Sequence, residues 1–283
     1  MEGLTSLMVD FAVALIAAIV AVLVWRQRRR RDEMPPEPVM TDPAECWLPA
    51  QLDWLTETQR ARWQQQVERF LSEKTFIACA GLQLGDAQRR SIAGMACLLR
   101  LQAGAEQQSL FPEVREVLLY PDAFLVPPLS QAISEEGLEL VDDGPDERIG
   151  EHGPGQVVLS WSDVQAAFEG DAVNVVIHEF AHALDGENPE TEGAPPMADY
   201  REWSAVMGAE FKRLQRHRRP PVLDPYGAQS PAEFWCVVAE AFFQQPAALA
   251  QHHAGLFRLL AAYFEISPAL AADARLAPAM PSA

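Results

Sequence analysis

The chain has 283 residues and a formal net charge of −18, and 49% of its residues are hydrophobic. That is enough apolar material to bury a core, and the balance is too acidic for a protein that lies flat on anionic lipid. Apart from five arginines at 26–31 and the acids Glu2 and Asp10, the chain carries 17 basic against 38 acidic side chains, about −21, which argues against nucleic acid as a partner.

Leu4 to Trp25 is apolar except for Thr5, Ser6 and Asp10, and Arg26-Gln27-Arg28-Arg29-Arg30-Arg31 follows at once. About 20 apolar residues span a bilayer. A cleaved signal peptide carries its positive charge before the apolar run, whereas here the arginines come after it. Residues 4–25 therefore predict an uncleaved transmembrane anchor. The positive-inside rule places the remainder in the cytoplasm, as a single-pass protein of the inner (cytoplasmic) membrane. Residues 26–45, basic and then Pro-rich, read as a tether. Residues 46–275 suffice for one domain, and 276–283 read as a disordered tail. Cys46, Cys79, Cys97 and Cys236 form no CxxC pair, which suits a reducing compartment.

Along the body, Thr56 to Lys74 has helical periodicity, with Trp63, Val67 and Phe70 on one stripe. Gln88 to Gln102 predicts a second helix. Val114–Tyr120 and Gln156–Trp161 are short strand-like runs. Val157-Val158-Leu159 is read equally as an interior strand or as an edge that pairs with an extended substrate. Gly186 to Asp199 predicts a loop bordering a cleft. Tyr200 to His217 predicts a helix whose end carries Arg213, Arg216, Arg218 and Arg219, a placement the helix dipole favours without any ligand. Leu256 to Phe264 predicts a last helix.

The chemistry centres on His178-Glu179-Phe180-Ala181-His182. Histidines four apart on a helix share a face and can reach one ion, and the intervening Glu can take a proton from a metal-activated water. The surrounding segment is apolar and so predicts a buried helix, with Asp171 as N-cap and Gly186 just past its end. Two histidines and a glutamate on a buried helix need partners, which a metal supplies. Asp185, on the same face, is a candidate to accept the outer N–H of a ligand histidine.

A catalytic zinc needs three protein ligands and an open position. No histidine follows at the short spacing, since position 188 is Asn188. The candidate third ligand is a carboxylate on the helix begun by Ser230-Pro231-Ala232-Glu233, where Ser230 and Glu233 fit a capping box and Gln244-Gln245-Pro246 marks the end. Glu233 and Glu240 lie two turns apart on one face, and the residues by themselves leave either as the ligand, with the other in support. Tyr226, in the turn Asp224-Pro225-Tyr226-Gly227, can supply a phenol to a developing oxyanion.

These pieces resemble the Mlc titration factor A family of zinc peptidases. The resemblance rests on His178 to Asp185, on Asp224-Pro225-Tyr226-Gly227 with Ser230-Pro231-Ala232-Glu233, on Leu118-Leu119-Tyr120-Pro121, and on Val157 to Gln165. It runs from about Trp47 to about Tyr263. The motif segments also resemble the catalytic domain of anthrax lethal factor. The resemblance implies an α+β fold, mostly helical with a small sheet, of the zincin type. It implies Zn2+ on His178, His182 and Glu233, which selects Glu233 over Glu240. It further implies Glu179 as general base and Tyr226 as transition-state stabiliser. Some family members carry an upstream histidine that occupies the open metal position at rest. The acidic stretch Val141 to Glu147 has none, and His152 is no evident positional match.

Two functions follow as expectations. One is a membrane-anchored zinc metallopeptidase that hydrolyses a peptide or protein substrate with a zinc-activated water and Glu179. The other, implied by the family, is a regulatory protein that sequesters a transcriptional repressor, with peptidase activity secondary. Glu179 favours the enzyme, because an inert binder has no need of a general base.

Overall fold

In the computed structural model the residues described are 53–102, 109–122, 124–126, 146–148, 150–153, 155–188, 190–216 and 221–266. The predicted anchor 4–25, the tether 26–45, Cys46, His217, Arg218, Arg219 and the tail 276–283 lie outside them. Among the described residues no helix is long and apolar enough to cross a membrane. The chain divides into two units, Met1–Asp42 and Pro43–Ala283, and all described residues belong to the second.

Helix α1 (Glu57–Glu73) starts at a reciprocal capping box, in which Thr56 accepts from the Gln59 amide and Gln59 accepts from the Thr56 amide. Its stripe of Trp63, Val67 and Phe70 is buried, as the periodicity requires. Strand β1 (Thr75–Ala78) follows, then α2 (Asp86–Leu98). From Ser91 to Leu98 every residue of α2 is buried, because it packs between α1 and the later helix of the histidine motif.

Strands β2 (Glu116–Tyr120), β3 (Phe124–Val126), β4 (Asp146–Arg148), β5 (Gly150–Gly153) and β6 (Gln156–Ser160) follow. The main sheet has the order β1-β2-β6-β5, with the first three strands parallel and β5 antiparallel to β6; β3 and β4 pair separately. The fold is α+β, mostly helical with this small sheet. Val157-Val158-Leu159 is consequently an interior strand, hydrogen-bonded on both sides, and the edge reading is overturned. The edge on that side is β5, whose Gly-Glu-His-Gly sequence lacks the β-branched and aromatic residues that announce a strand.

Helix α3 (Trp161–Phe168) continues directly from β6. Gly170, at φ +97°, ends it: the Gly170 amide reaches the Ala167 carbonyl and the Asp171 amide reaches that of Ala166. Helix α4 (Val175–Gly186) carries the histidine motif, and α5 (Arg201–Arg216) comes after the expected loop. A 3₁₀ turn at Pro225–Ala228 leads into α6 (Pro231–Gln244). Pro246 stops α6 and starts α7 (Pro246–His252), since proline suits a first helical turn as well as it forbids a helix interior. Helix α8 (Ala254–Phe264) is the last.

Helix α4 sits in the centre, with β5 and β6 on one side, α6 on another and α2 behind. Phe180 anchors it, packing its ring 4.9 Å from Phe111 and 5.4 Å from Phe70. Trp235 is fully buried and donates its Nε1–H to the Ala181 carbonyl at 3.0 Å, which fixes α6 against α4 at the motif. Truncating such a side chain to alanine costs about 3–5 kcal/mol.

Candidate metal centre

The N-cap of α4 is Asn174, whose carboxamide accepts from the Ile177 amide at 3.0 Å. Asp171 instead closes its own turn by accepting from the Val173 amide, and Gly186 is the last helical residue before Glu187 in right-handed conformation. The start was misplaced because the glycine and aspartate at 170–171 terminate α3, a helix the sequence did not announce. On α6 the cap falls where expected, with Ser230 Oγ accepting from the Glu233 amide at 3.1 Å. The Glu233 carboxylate does not return to that cap. It reaches across to α4.

There Glu233 Oε2 lies 3.1 Å from His178 Nε2 and 3.4 Å from His182 Nε2. The two imidazole rings are 5.0 Å apart. Three donors at zinc–ligand distances of about 2.0–2.1 Å around a tetrahedral centre lie roughly 3.3 Å from one another, so this spacing fits a metal. The donor chemistry fits as well: two imidazoles and a carboxylate, brought together by two buried helices.

Glu240, two turns along α6 from Glu233, takes a different place. Its Oε1 is 2.7 Å from His178 Nδ1, and its Oε2 accepts from the Asn174 amide at 2.6 Å. One carboxylate thus ties the cap of α4 to the outer nitrogen of His178. Both nitrogens of His178 thus face carboxylate oxygens, and a metal bound at Nε2 would leave Nδ1–H to donate to Glu240.

Glu179 is buried, 6% exposed, within electrostatic reach of both histidines and both α6 carboxylates. Burial pushes its carboxyl up to about 7, against the pull of His178 and His182. Burial opposes the charge on His178, but its hydrogen bonds to Glu233 and Glu240 outweigh it and hold the imidazole up at about 10. Glu233 is also penalised by burial, yet the two histidines bring it down to about 2.

Tyr226 is 46% exposed in the 3₁₀ turn, with its ring centroid 6.1 Å from that of His178. The turn is docked closely on its neighbours: a Cβ on Gly227 would stand 3.2 Å from Val237 and 3.3 Å from Leu214. Asp224 caps it by accepting from the Tyr226 amide at 2.8 Å.

Asp185 departs from its expected part. Its Oδ1 accepts from the Ala194 amide at 2.7 Å, and the described residues give it no hydrogen bond to a histidine. The carboxylate is taken up by the loop, where Gly193 at φ +77° runs so close to the start of α6 that a Cβ would meet the Pro231 carbonyl at 2.4 Å. Asp185 therefore holds the segment against which the Glu233 helix begins.

The residue that sequence reasoning left out of the site is Cys236. His178, His182 and Cys236 each bring one donor atom within 4.8 Å of the others. The spacing 233, 236, 240 on one helix is the signal that would have found it. Glu233 Oε2 stands 3.1 and 3.4 Å from the two histidines, and burial, reinforced by Glu233, pushes the Cys236 thiol well above its ordinary range. His152 lies on β5, and its side chain is outside the described structure.

Fold and site together define a protein with a candidate metal centre on two packed helices. Residues 22–265 match the family of glucose-regulated metallo-peptidase M90, and the chain belongs to that family. It is 34% identical over 224 residues to an uncharacterized protein of Synechocystis sp., covering 76% of this chain and 79% of the relative. It is 30% identical over 248 residues to Mlc titration factor A of Klebsiella pneumoniae, covering 83% and 87%. The Mlc titration factor A of Escherichia coli O1:K1 matches at 30% over 229 residues, 77% and 83% of the two chains.

Proposed function

We propose that the chain is a zinc metallopeptidase of zincin type, with the metal on His178, His182 and Glu233 and a peptide or protein as substrate. The observation that carries this reading is the convergence of three donor atoms at 3.1 and 3.4 Å beside the buried Glu179. When bound, zinc supplies a Lewis acid that polarises a carbonyl and lowers the pKa of water. Glu179 takes a proton from the attacking water and delivers it to the leaving amine; its carboxyl, raised by burial, suits both directions of transfer. Tyr226 donates its phenol to the oxyanion from the rim of the cleft. Glu240 orients His178. The antiparallel strand β5, packed against α4 and at the edge of the sheet among the described residues, is where an extended substrate could pair.

The apolar run 4–25 with its trailing arginines supports an anchor that holds this domain at the cytoplasmic face of the membrane. A reporter fused after Ala283 that behaves as extracytoplasmic contradicts that topology.

A second reading, supported by the name of the relatives, is that the chain binds a transcriptional regulator as Mlc titration factor A is named for titrating Mlc. The two readings part at Glu179. In the purified full-length chain, Glu179→Gln is expected to keep zinc and to lose peptide hydrolysis by roughly 10²–10⁴-fold. Glu233→Ala is expected to lose both, and Cys236→Ser neither. A wild-type chain that binds no zinc sinks the peptidase reading. Release of zinc by Cys236→Ser but not by Glu233→Ala overturns the ligand set. Regulator binding that survives Glu179→Gln unchanged supports a binding function separate from catalysis.

A further inference from the structure

Val222 is the β-branched member of the four non-glycine residues with positive φ among the described residues, and at +73° it has the largest value. The left-handed region is disfavoured for any L-residue and most of all for a branched one. The Leu223 amide donates to the Pro221 carbonyl at 2.8 Å, two residues back. Together these make the rare, strained form of γ-turn, which needs φ near +75° at its central residue. Such a turn persists where surrounding structure over-determines it, and it tends to sit at functional sites. Four residues further on is Tyr226.

What over-determines it is His253. This residue is 4% exposed and forms the joint between α7 and α8. Its backbone is held from both helices: its amide donates to the Leu249 carbonyl at 2.8 Å, and its carbonyl accepts from the Phe257 amide at 3.0 Å. The ring is held too. Nδ1 is 2.8 Å from Glu210 Oε2 on α5, and Nε2 is 3.2 Å from the same Pro221 carbonyl that closes the γ-turn. Each ring nitrogen faces an oxygen, one on α5 and one on the turn, which fixes the plane of the ring. The imidazole is thus a rigid strut between α5 and the strained turn. Beyond that turn the Asp224 cap and the Gly227 contact deliver Tyr226 to the rim beside His178.

We infer that Glu210 and His253 form a positioning latch, which holds the strained turn at Val222 and thereby sets Tyr226 over the metal histidines. This rests on the reading of Tyr226 as oxyanion donor. Neither latch residue touches the reacting atoms; both act through the backbone of 221–226.

The test uses the full-length chain loaded with zinc and reads two quantities, amide hydrogen exchange in 221–228 and steady-state cleavage of a peptide. His253→Phe keeps the ring volume and removes both hydrogen bonds. It is expected to raise exchange at Leu223 and Gly227 by roughly tenfold or more while the 178–182 amides stay protected. It lowers kcat toward the level of Tyr226→Phe, with KM and zinc content unchanged. Glu210→Leu, at a less buried position, gives the same pattern if His253→Phe folds poorly, whereas Glu210→Gln keeps an acceptor for Nδ1 and stays close to wild type. The double variant Tyr226→Phe/His253→Phe falls no further than the worse single, as coupled residues do; a merely structural role gives additive losses. Val222→Gly in the His253→Phe background restores kcat, because glycine adopts φ +73° without penalty. Unchanged exchange in His253→Phe and Glu210→Leu overturns the latch. Raised exchange with unchanged kcat in an active enzyme overturns its positioning role. A wild-type chain that cleaves nothing sinks the peptidase reading instead, and the exchange data then decide the latch by themselves.

Discussion

Helix α4 has ionisable side chains packed in two places, just past its C-terminus and around its middle, and the two dispose of the charge in different ways. Past its C-terminus, Glu187 pairs with Arg100, which is 2% exposed and lies 5.0 Å over the Phe111 ring. Beside them Lys74 donates to the carbonyls of Phe111 and Val114 at 2.9 and 2.7 Å. Burial pushes Glu187 up and Lys74 down, so each ion is held at a cost that its partners offset. Cations and carboxylate lie within reach of each other, and only Arg100 Nε in this group is left buried without a hydrogen-bond partner among the described residues. In the middle of the same helix three carboxylates, Glu179, Glu233 and Glu240, surround two histidines whose Nε2 atoms face one another across Glu233. That cluster is balanced only by protons or by a cation. A buried polar group that closes on itself is structure; one that leaves convergent lone pairs is a site.

The contrast can be broken from either side. The largest expected effect is on the structural group past the C-terminus. Arg100→Ala leaves Glu187 buried without its partner and is expected to destabilise the fold by about 3–5 kcal/mol, whereas an apolar replacement of both partners costs much less. Urea denaturation of the two variants checks this, and equal losses would dissolve the distinction drawn here. At the metal site, Glu240→Gln is expected to weaken zinc binding by roughly 10–100-fold with little change in folded stability of the zinc-loaded chain, as judged by competition with a chelator. A smaller effect follows from the protons. In the metal-free chain His178 is held at about 10, so zinc must displace its proton, and affinity is expected to rise by up to roughly tenfold per pH unit through the neutral range. The same raised values set the sign for stability. Glu179 at about 7 and His178 at about 10 keep protons that the unfolded chain has lost, so the metal-free fold is expected to weaken as pH rises from 4.5 through 10. Melting temperature in chelator across that range measures it, and Glu179→Gln should flatten the part below pH 7.

Much of the site was legible because helical spacing is a local property. His178 and His182 at i and i+4, and Glu233 and Glu240 at i and i+7, must share faces once their segments are helical. The Ser230 cap and Pro231 fixed the start of α6 for the same local reason. Where local signals overlapped they misled: Gly170-Asp171 reads as the start of α4 but ends α3, and Gly-Glu-His-Gly at 150–153 gives no strand signal although β6 recruits it to the sheet.

The sequence by itself determined that two imidazoles and a glutamate line one buried helix, and that a second helix presents two carboxylates. It did not determine which carboxylate does what. That choice depends on how α6 lies across α4, set by Trp235 on Ala181 and by Glu240 on the Asn174 cap, contacts between residues 54 and 66 positions apart. Only the packed structure sends Glu233 between the histidines, turns Asp185 to the loop at Ala194, and sets the His253 ring against the turn that carries Tyr226. Periodicity fixes the face a side chain occupies; the partner it meets is decided by the crossing of elements distant in sequence.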